Sequence, residues 1–218
     1  MLTTFPSSST HVRTSLRSRG QQAVPSRFEV VVIGISTGGP VALTVLLEKL
    51  SPNIKSPIVI VQHMPTHFTA WLAERLNEVS RLKVKEAEDG EKLQVGTVYL
   101  APGGVHTKFE RQPKTGVHIV LSDDAPVRSC RPSVDVLFQS ASQTYKNGVL
   151  AVVMTGMGRD GCDGVSHLKQ RIPTYCLTQE ASSCVVYGMP KAVVEAHLSD
   201  EALSLEGLAH RISELASQ

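Results

Sequence analysis

The chain has little with which to hold a metal or build a disulfide framework. Its 218 residues include only four cysteines, Cys130, Cys162, Cys176 and Cys184, and no CxxC pair. That spacing excludes the common zinc patterns, and four free thiols fit a reducing compartment. No apolar run approaches the roughly 18 residues of a membrane-crossing helix, and no hydrophobic signal-peptide segment is present. Acidic residues are missing from positions 1–27, which carry Arg13, Arg17, Arg19 and Arg27. With those four removed from the 22 basic residues, 18 remain against 20 acidic ones, so the body is near −2. A body so close to neutral carries no nucleic-acid footprint.

Residues 1–27 are rich in Ser, Thr and Arg, and Pro6, Gly20 and Pro25 interrupt any helix. Such a segment is expected to be disordered, a tail or the remnant of an interdomain linker. An acid-free, Arg- and Ser-rich start also suits an organelle transit peptide, but no amphipathic apolar face accompanies it. The ordered domain is expected over 28–218, long enough for one sizeable core.

What is present is a series of short, fully apolar runs. FEVVVI (28–33), PIVIVQ (57–62) and VLAVVM (149–154) read as strands buried on both faces. Helices are expected from Pro40 to about Leu50, from about Phe68 to Ser80, from Pro132 to about Tyr145 and near Cys162–Arg171, with two more at the C-terminus. Pro40 suits a first helical turn, where a missing N–H costs nothing. Shorter strands are expected at 84–87, 97–101, 117–121 and 174–177, with Gly90, Gly96 and Gly103-Gly104 marking turns. The alternation predicts an α/β fold: a doubly wound, mainly parallel sheet with helices on both faces and a β-rich insertion around 82–121. Ligands in such folds bind beyond the carboxyl ends of the strands.

Three candidate residues follow three of those strands. Gly34-Ile35-Ser36-Thr37-Gly38 matches G-x-S-x-G, a nucleophile elbow when it joins a strand to a helix. A glycine-rich turn that binds phosphate, or merely packs, gives the same pattern. A serine hydroxyl needs an adjacent base held by a carboxylate. His63 directly follows the second strand and is the candidate base, although a strand-end histidine can also make one structural hydrogen bond. Asp160, in Met154-Thr155-Gly156-Met157-Gly158-Arg159-Asp160-Gly161, is the candidate carboxylate; its alternative role is to cap the next helix. His67 does not complete a metal pair with His63, because Pro65 breaks the helical spacing and no Glu lies between them. The order Ser, His, Asp differs from that of the α/β-hydrolases, but triads are defined by geometry.

VVIGISTGGP, IVQHMPTHFT, VKEAEDGE, VYLAPGG-H, RPSVDVLF, VMTGMGRDG and EASSCVVYGMP together resemble the catalytic domain of the CheB-type chemotaxis protein-glutamate methylesterases, from about Glu29 to Val194. The resemblance implies a cytoplasmic serine esterase of bacterial chemotactic adaptation. It would hydrolyse γ-glutamyl methyl esters on chemoreceptor cytoplasmic helices, with deamidation of receptor glutamines in some members. It implies Ser36 as nucleophile, His63 as general base and Asp160 as its partner. The backbone amide of Met157 would serve the oxyanion hole, Thr37 would line the site, and Arg131 is a candidate substrate contact. No metal or organic cofactor is implied.

Two departures stand out: Arg159, where the family commonly has Asn, and Lys169-Gln170-Arg171-Ile172-Pro173 in place of a small glycine-containing turn. Most members also carry an N-terminal receiver domain, for which residues 1–27 leave no room, so phosphorylation control is not expected within this chain. Two other functions share these residues. One is a non-catalytic module of the same fold docking a signalling partner; the intact Ser36, His63 and Asp160 argue against it. The other is nucleotide binding at Gly34–Gly39, but the loop is not G-x-G-x-x-G and contains no Lys.

Overall fold

The computed structural model describes residues 24–218, so the segment 1–23 of the expected tail lies outside the described residues. The first apolar run forms β1 (Val30–Ile35), followed by α1 (Gly39–Lys49). Gly38 takes a left-handed φ of 84° at the turn between them, a conformation that glycine adopts at no steric cost. There follow β2 (Ile58–Gln62), α2 (Phe68–Val79), β3 (Lys83–Glu86), β4 (Thr97–Leu100), β5 (His106–Gln112) and β6 (Gly116–Ser122). The remainder comprises α3 (Val134–Thr144), β7 (Val149–Val153), α4 (Cys162–Arg171), β8 (Thr174–Gln179), α5 (Met189–Glu195), β9 (Glu201–Leu203) and α6 (Leu205–Ala216).

Seven strands form one sheet in the order β3-β4-β2-β1-β7-β8-β9, with every neighbouring pair parallel. Successive side chains of β1 serve opposite faces. Val31, Ile33 and Ile35 join Leu43, Leu46, Leu72, Leu76, Leu208 and Ile212 in the core under α1, α2 and α6. Val30 and Val32 join Val59, Val61, Leu137, Phe138, Val165 and Leu168 under α3 and α4. Each fully buried aliphatic side chain contributes about 1.5–3 kcal/mol relative to exposure, which is why β1 and β7 carry no polar side chain.

The β-rich stretch around 82–121 divides in two. Its strands β3 and β4 extend the main sheet in parallel, whereas β5 and β6 form a separate antiparallel hairpin. Phe109 and Ile119 of that hairpin enter the core beside α3. Strands β5 and β9 were not expected: β5 reads HTKFERQ with polar residues dominant, and β9 has only three residues. Chain connectivity moves one way from β1 to β2 and the other way to β7, so the sheet's topological switch point lies between β1 and β7. Open α/β sheets form their ligand crevices at such a point.

Candidate active site

Ser36 directly follows β1 and Asp160 stands in the loop after β7, on the two sides of the switch point. The Ser36 amide donates to Thr155 O at 2.9 Å, which ties the two loops together. His63 follows β2, and its amide donates to Ile35 O at 3.1 Å. Gln62, buried at the end of β2, spans the same gap: its Nε2 donates to Ser36 O at 3.1 Å and to His63 O at 3.0 Å.

His63 Nε2 lies 2.8 Å from Asp160 Oδ2. An ionised carboxylate can only accept, so the proton of the neutral imidazole sits on Nε2 and Nδ1 keeps its lone pair. The Nδ1 neighbour is Cys130 Sγ at 3.8 Å. Among the described residues no hydrogen bond joins Ser36 Oγ to His63.

Asp160 is 3% exposed and its oxygens are fully engaged. Besides His63, Oδ2 accepts from the Val134 amide at 2.7 Å; Oδ1 accepts from Ser133 Oγ at 2.8 Å and the Asp135 amide at 2.9 Å. Ser133 is the N-cap of α3, so the Asp160 carboxylate caps α3 and not the helix that Asp160 itself precedes. The helix that follows Asp160, α4, has Gly161 as its N-cap. Burial alone would raise the Asp160 carboxyl; the hydrogen bond from His63 and the Asp135 and Val134 amides outweigh it and hold the group below its ordinary value.

The other candidates are spread around this pair. Met157 is 72% exposed in the loop after β7, and its amide donates to no partner among the described residues. Thr37 is exposed, and its carbonyl accepts from Thr155 Oγ1 at 2.9 Å. Arg131 Nη1 is engaged by Asp123 O at 2.9 Å and Asp124 O at 3.3 Å, on the loop after β6. Arg159 is paired with Asp163 at 3.1 Å, and Lys169 with Asp200 at 2.6 Å.

Several contributors were not singled out in the sequence. Asp135, in the first turn of α3, accepts from the Gly161 and Gly164 amides at 2.9 and 2.7 Å. Burial, against those amides and with the Asp160 charge adding to it, pushes the Asp135 carboxyl up to about 6. Gly156 packs so closely that a Cβ there would stand 2.7 Å from Ser36 Cβ and 2.4 Å from Met189 Sδ. RPSVD carried the only sequence signal for Ser133 and Asp135, as a cap residue followed by an acid in the first turn. Gln62 and Cys130 had none, because their importance arises from tertiary contact.

A parallel α/β domain with a serine, and a histidine bound to a carboxylate, at its switch point belongs structurally to the broad class that hosts serine hydrolases. More narrowly, the chain matches the CheB methylesterase family over residues 31–212, and it belongs to that family. It is 47% identical over 192 residues to a protein-glutamate methylesterase/protein-glutamine glutaminase of Halalkalibacterium halodurans, covering 88% of this chain and 55% of that protein. A protein of the same description from Desulfotalea psychrophila is 45% identical over 205 residues, covering 93% and 56%. The crystal structure of the Thermotoga maritima CheB methylesterase catalytic domain superposes with a TM-score of 0.83 at 40% identity, covering 86% of this chain and 98% of that one. The chain thus spans about half the length of the curated relatives it matches.

Proposed function

We propose that residues 28–218 form a catalytic domain that hydrolyses γ-glutamyl methyl esters on the cytoplasmic helices of chemoreceptors, and deamidates receptor glutamines at the same site. The observation that carries this reading is the 2.8 Å contact between His63 Nε2 and Asp160, which leaves Nδ1 as a base beside the Ser36 loop. Relatives 44–47% identical to this chain, described as protein-glutamate methylesterase/protein-glutamine glutaminases, support the substrate class.

In this reading His63 Nδ1 takes the Ser36 proton as Oγ attacks the ester carbonyl. The required Ser36–His63 hydrogen bond belongs to the substrate complex, where such bonds commonly tighten. The free Met157 amide donates to the oxyanion; losing one such donor costs roughly 2.7–4 kcal/mol of barrier. The C–O bond to the methoxy group breaks, and protonated His63 returns its proton to release methanol. Water, deprotonated by Nδ1, then attacks the glutamyl-Ser36 ester; the acyl C–Oγ bond breaks, His63 returns the proton to Ser36 Oγ, and the free carboxylate leaves. With a glutamine the leaving group is ammonia. Thr37 lines the cleft and Arg131 contacts substrate. Residues at the starts of helices or in loops beyond the strands, Val41, Phe68, Trp71, Met157 and Val185, are exposed apolar side chains, a rim suited to a macromolecular substrate.

Among the described residues no helix is long and apolar enough to cross a membrane. The proposed partners are methylated receptor helices in the cytoplasm and a receiver domain outside these residues. The test is methanol release from methylated receptor membranes, with covalent labelling by a fluorophosphonate probe. Ser36→Ala and His63→Ala are expected to abolish release, and Ser36→Ala to abolish labelling. An unchanged rate in Ser36→Ala would overturn the reading.

A further inference from the structure

His63 Nδ1, the proposed base, faces a thiol that the esterase mechanism does not use. Cys130 Sγ lies 3.8 Å from it, and His63, Cys130 and Asp160 each offer a ligand-type atom, all within 4.8 Å of one another. We infer that Cys130 Sγ and His63 Nδ1 form a zinc(II) site, and that zinc bound there inhibits the enzyme by occupying its base.

Three features favour zinc. Zinc–sulfur and zinc–nitrogen bonds of about 2.3 and 2.0–2.1 Å at a tetrahedral angle separate the two ligand atoms by about 3.6 Å. The observed 3.8 Å needs almost no movement. The donor set of one thiolate and one imidazole suits a borderline-soft ion and does not suit magnesium or calcium. The far side of the ring is already arranged for coordination: a metal-ligating histidine almost always donates its other N–H to a carboxylate, and Nε2 does so to Asp160 at 2.8 Å. Asp160 itself accepts four hydrogen bonds, so it acts as this outer support while water completes the coordination.

The thiol is also held in place. Val127 and Cys130 exchange backbone hydrogen bonds of 3.1 and 2.8 Å across a tight turn whose central residues, Arg128 and Ser129, have φ of 51° and 63°. Two consecutive left-handed non-glycine residues cost energy and persist only where surroundings fix them. Arg128 is fixed by ion pairs to Asp163 and Asp135. Burial raises the Cys130 thiol, so it starts protonated at neutral pH. Binding then forms one Zn–S and one Zn–N bond, displaces all the waters of the hydrated ion except those that complete the tetrahedron, and sends the thiol proton to solvent.

Zinc chloride is to be titrated into Ser36→Ala in competition with a chromophoric chelator. This background keeps the site but turns nothing over, so binding is read independently of the esterase reading. One zinc per chain is expected, with alkylation of Cys130 blocked in step. Adding Cys130→Ala, or His63→Ala, is expected to weaken that site about ten-fold or more, the scale on which losing a supporting group weakens a metal site. The inhibitory half rests on the esterase reading. In the active chain, zinc is expected to stop methanol release and a chelator to restore it, while Cys130→Ala and Cys130→Ser, each compared with its own zinc-free rate, tolerate about ten-fold more zinc. Equal zinc affinity with and without Cys130, or equal inhibition of the Cys130→Ala enzyme, would overturn the inference.

Discussion

The carboxylates of Asp135 and Asp160 cap each other's helices. Asp160, at the entrance to α4, accepts from the Val134 and Asp135 amides at the start of α3; Asp135, in that first turn of α3, accepts from the Gly161 and Gly164 amides at the start of α4. Both N-termini are therefore satisfied by buried acids, where the helix dipoles favour negative charge. The two acids repel one another, and the outcome differs between them. Burial is the largest influence on both, but Asp160, bonded by His63, is lowered, whereas Asp135, whose cation among the described residues is Arg128 at 3.5 Å, is raised to about 6.

That raised value fixes the sign of a pH effect. The folded chain holds the Asp135 proton more tightly than the unfolded chain, so this residue's contribution is fully present below about pH 4 and lost as pH rises through about 6. Asp135→Asn keeps an acceptor for the Gly161 and Gly164 amides without the charge. Stability of the wild type relative to Asp135→Asn should fall by on the order of 1–3 kcal/mol between pH 4 and 6.5, then level off. Urea unfolding of both chains across that range measures it; a difference that grows with pH would contradict the coupling.

Asp160→Asn tests the other half of the pair. An asparagine must turn its amide nitrogen either toward His63 Nε2–H and the Val134 amide, which share one carboxylate oxygen, or toward Ser133 Oγ and the Asp135 amide, which share the other. Methanol release is expected to fall about 10³–10⁴-fold, the scale for losing the carboxylate that sets the histidine tautomer. Because the Asp160 carboxyl is lowered, its stabilisation is present above the ordinary carboxylate range and is lost as pH falls through the folded value. The stability gap between wild type and Asp160→Asn should therefore be largest near neutrality and narrow in acid. Single-turnover rates and melting at pH 7 and pH 3.5 check both halves.

The strands of the central sheet were legible because both of their faces are buried, which leaves continuous apolar runs such as VVVIGI and VLAVV. The positions of Ser36, His63 and Asp160 beyond β1, β2 and β7 could then be read from order alone, since parallel strands present their carboxyl ends on one edge. The hairpin strand β5 was not legible. Its Thr107 and Phe109 face the core, but His106, Lys108, Glu110 and Arg111 mask the pattern. Asp135 was not singled out, because it is a first-turn acid of its own helix and only the packing of α3 on α4 turns it toward Gly161 and Gly164. Cys130 meets His63 across 67 residues of sequence, through a turn whose left-handed residues are not of the usual Asn-Gly type.

Gly156 is the close-approach position of the site. An added Cβ meets Met189 Sδ at 2.4 Å, which a flexible side chain can relieve, and Ser36 Cβ at 2.7 Å, which it cannot. Ser36 is held through its backbone by Thr155 O and Gln62, so Gly156→Ala must push the Ser36 loop itself. The expected cost is about 1–3 kcal/mol of stability. Displacement of the order of 1 Å should lower methanol release about 100-fold. Fluorophosphonate labelling should slow in parallel. A stable Gly156→Ala chain with wild-type labelling would show that Ser36 is not positioned by this wall.

The turn that carries Cys130 offers a stabilising substitution. Ser129 holds φ at 63°, is exposed, and its side chain makes no hydrogen bond among the described residues. The left-handed conformation costs an ordinary residue about 1–2 kcal/mol and glycine almost nothing, while glycine adds back roughly 0.5–1 kcal/mol of unfolded-chain entropy. Ser129→Gly should therefore gain about 0.5–1 kcal/mol, and Ser129→Val, branched at Cβ, should lose more than that. Arg128, at φ 51°, cannot be treated alike, because its guanidinium pairs with Asp163 and Asp135 and its removal would release the turn. Chemical denaturation of the Ser129 variants separates backbone strain from the ion pairs. Destabilisation by Ser129→Gly would show that the turn is held by something other than its own hydrogen bonds and Arg128.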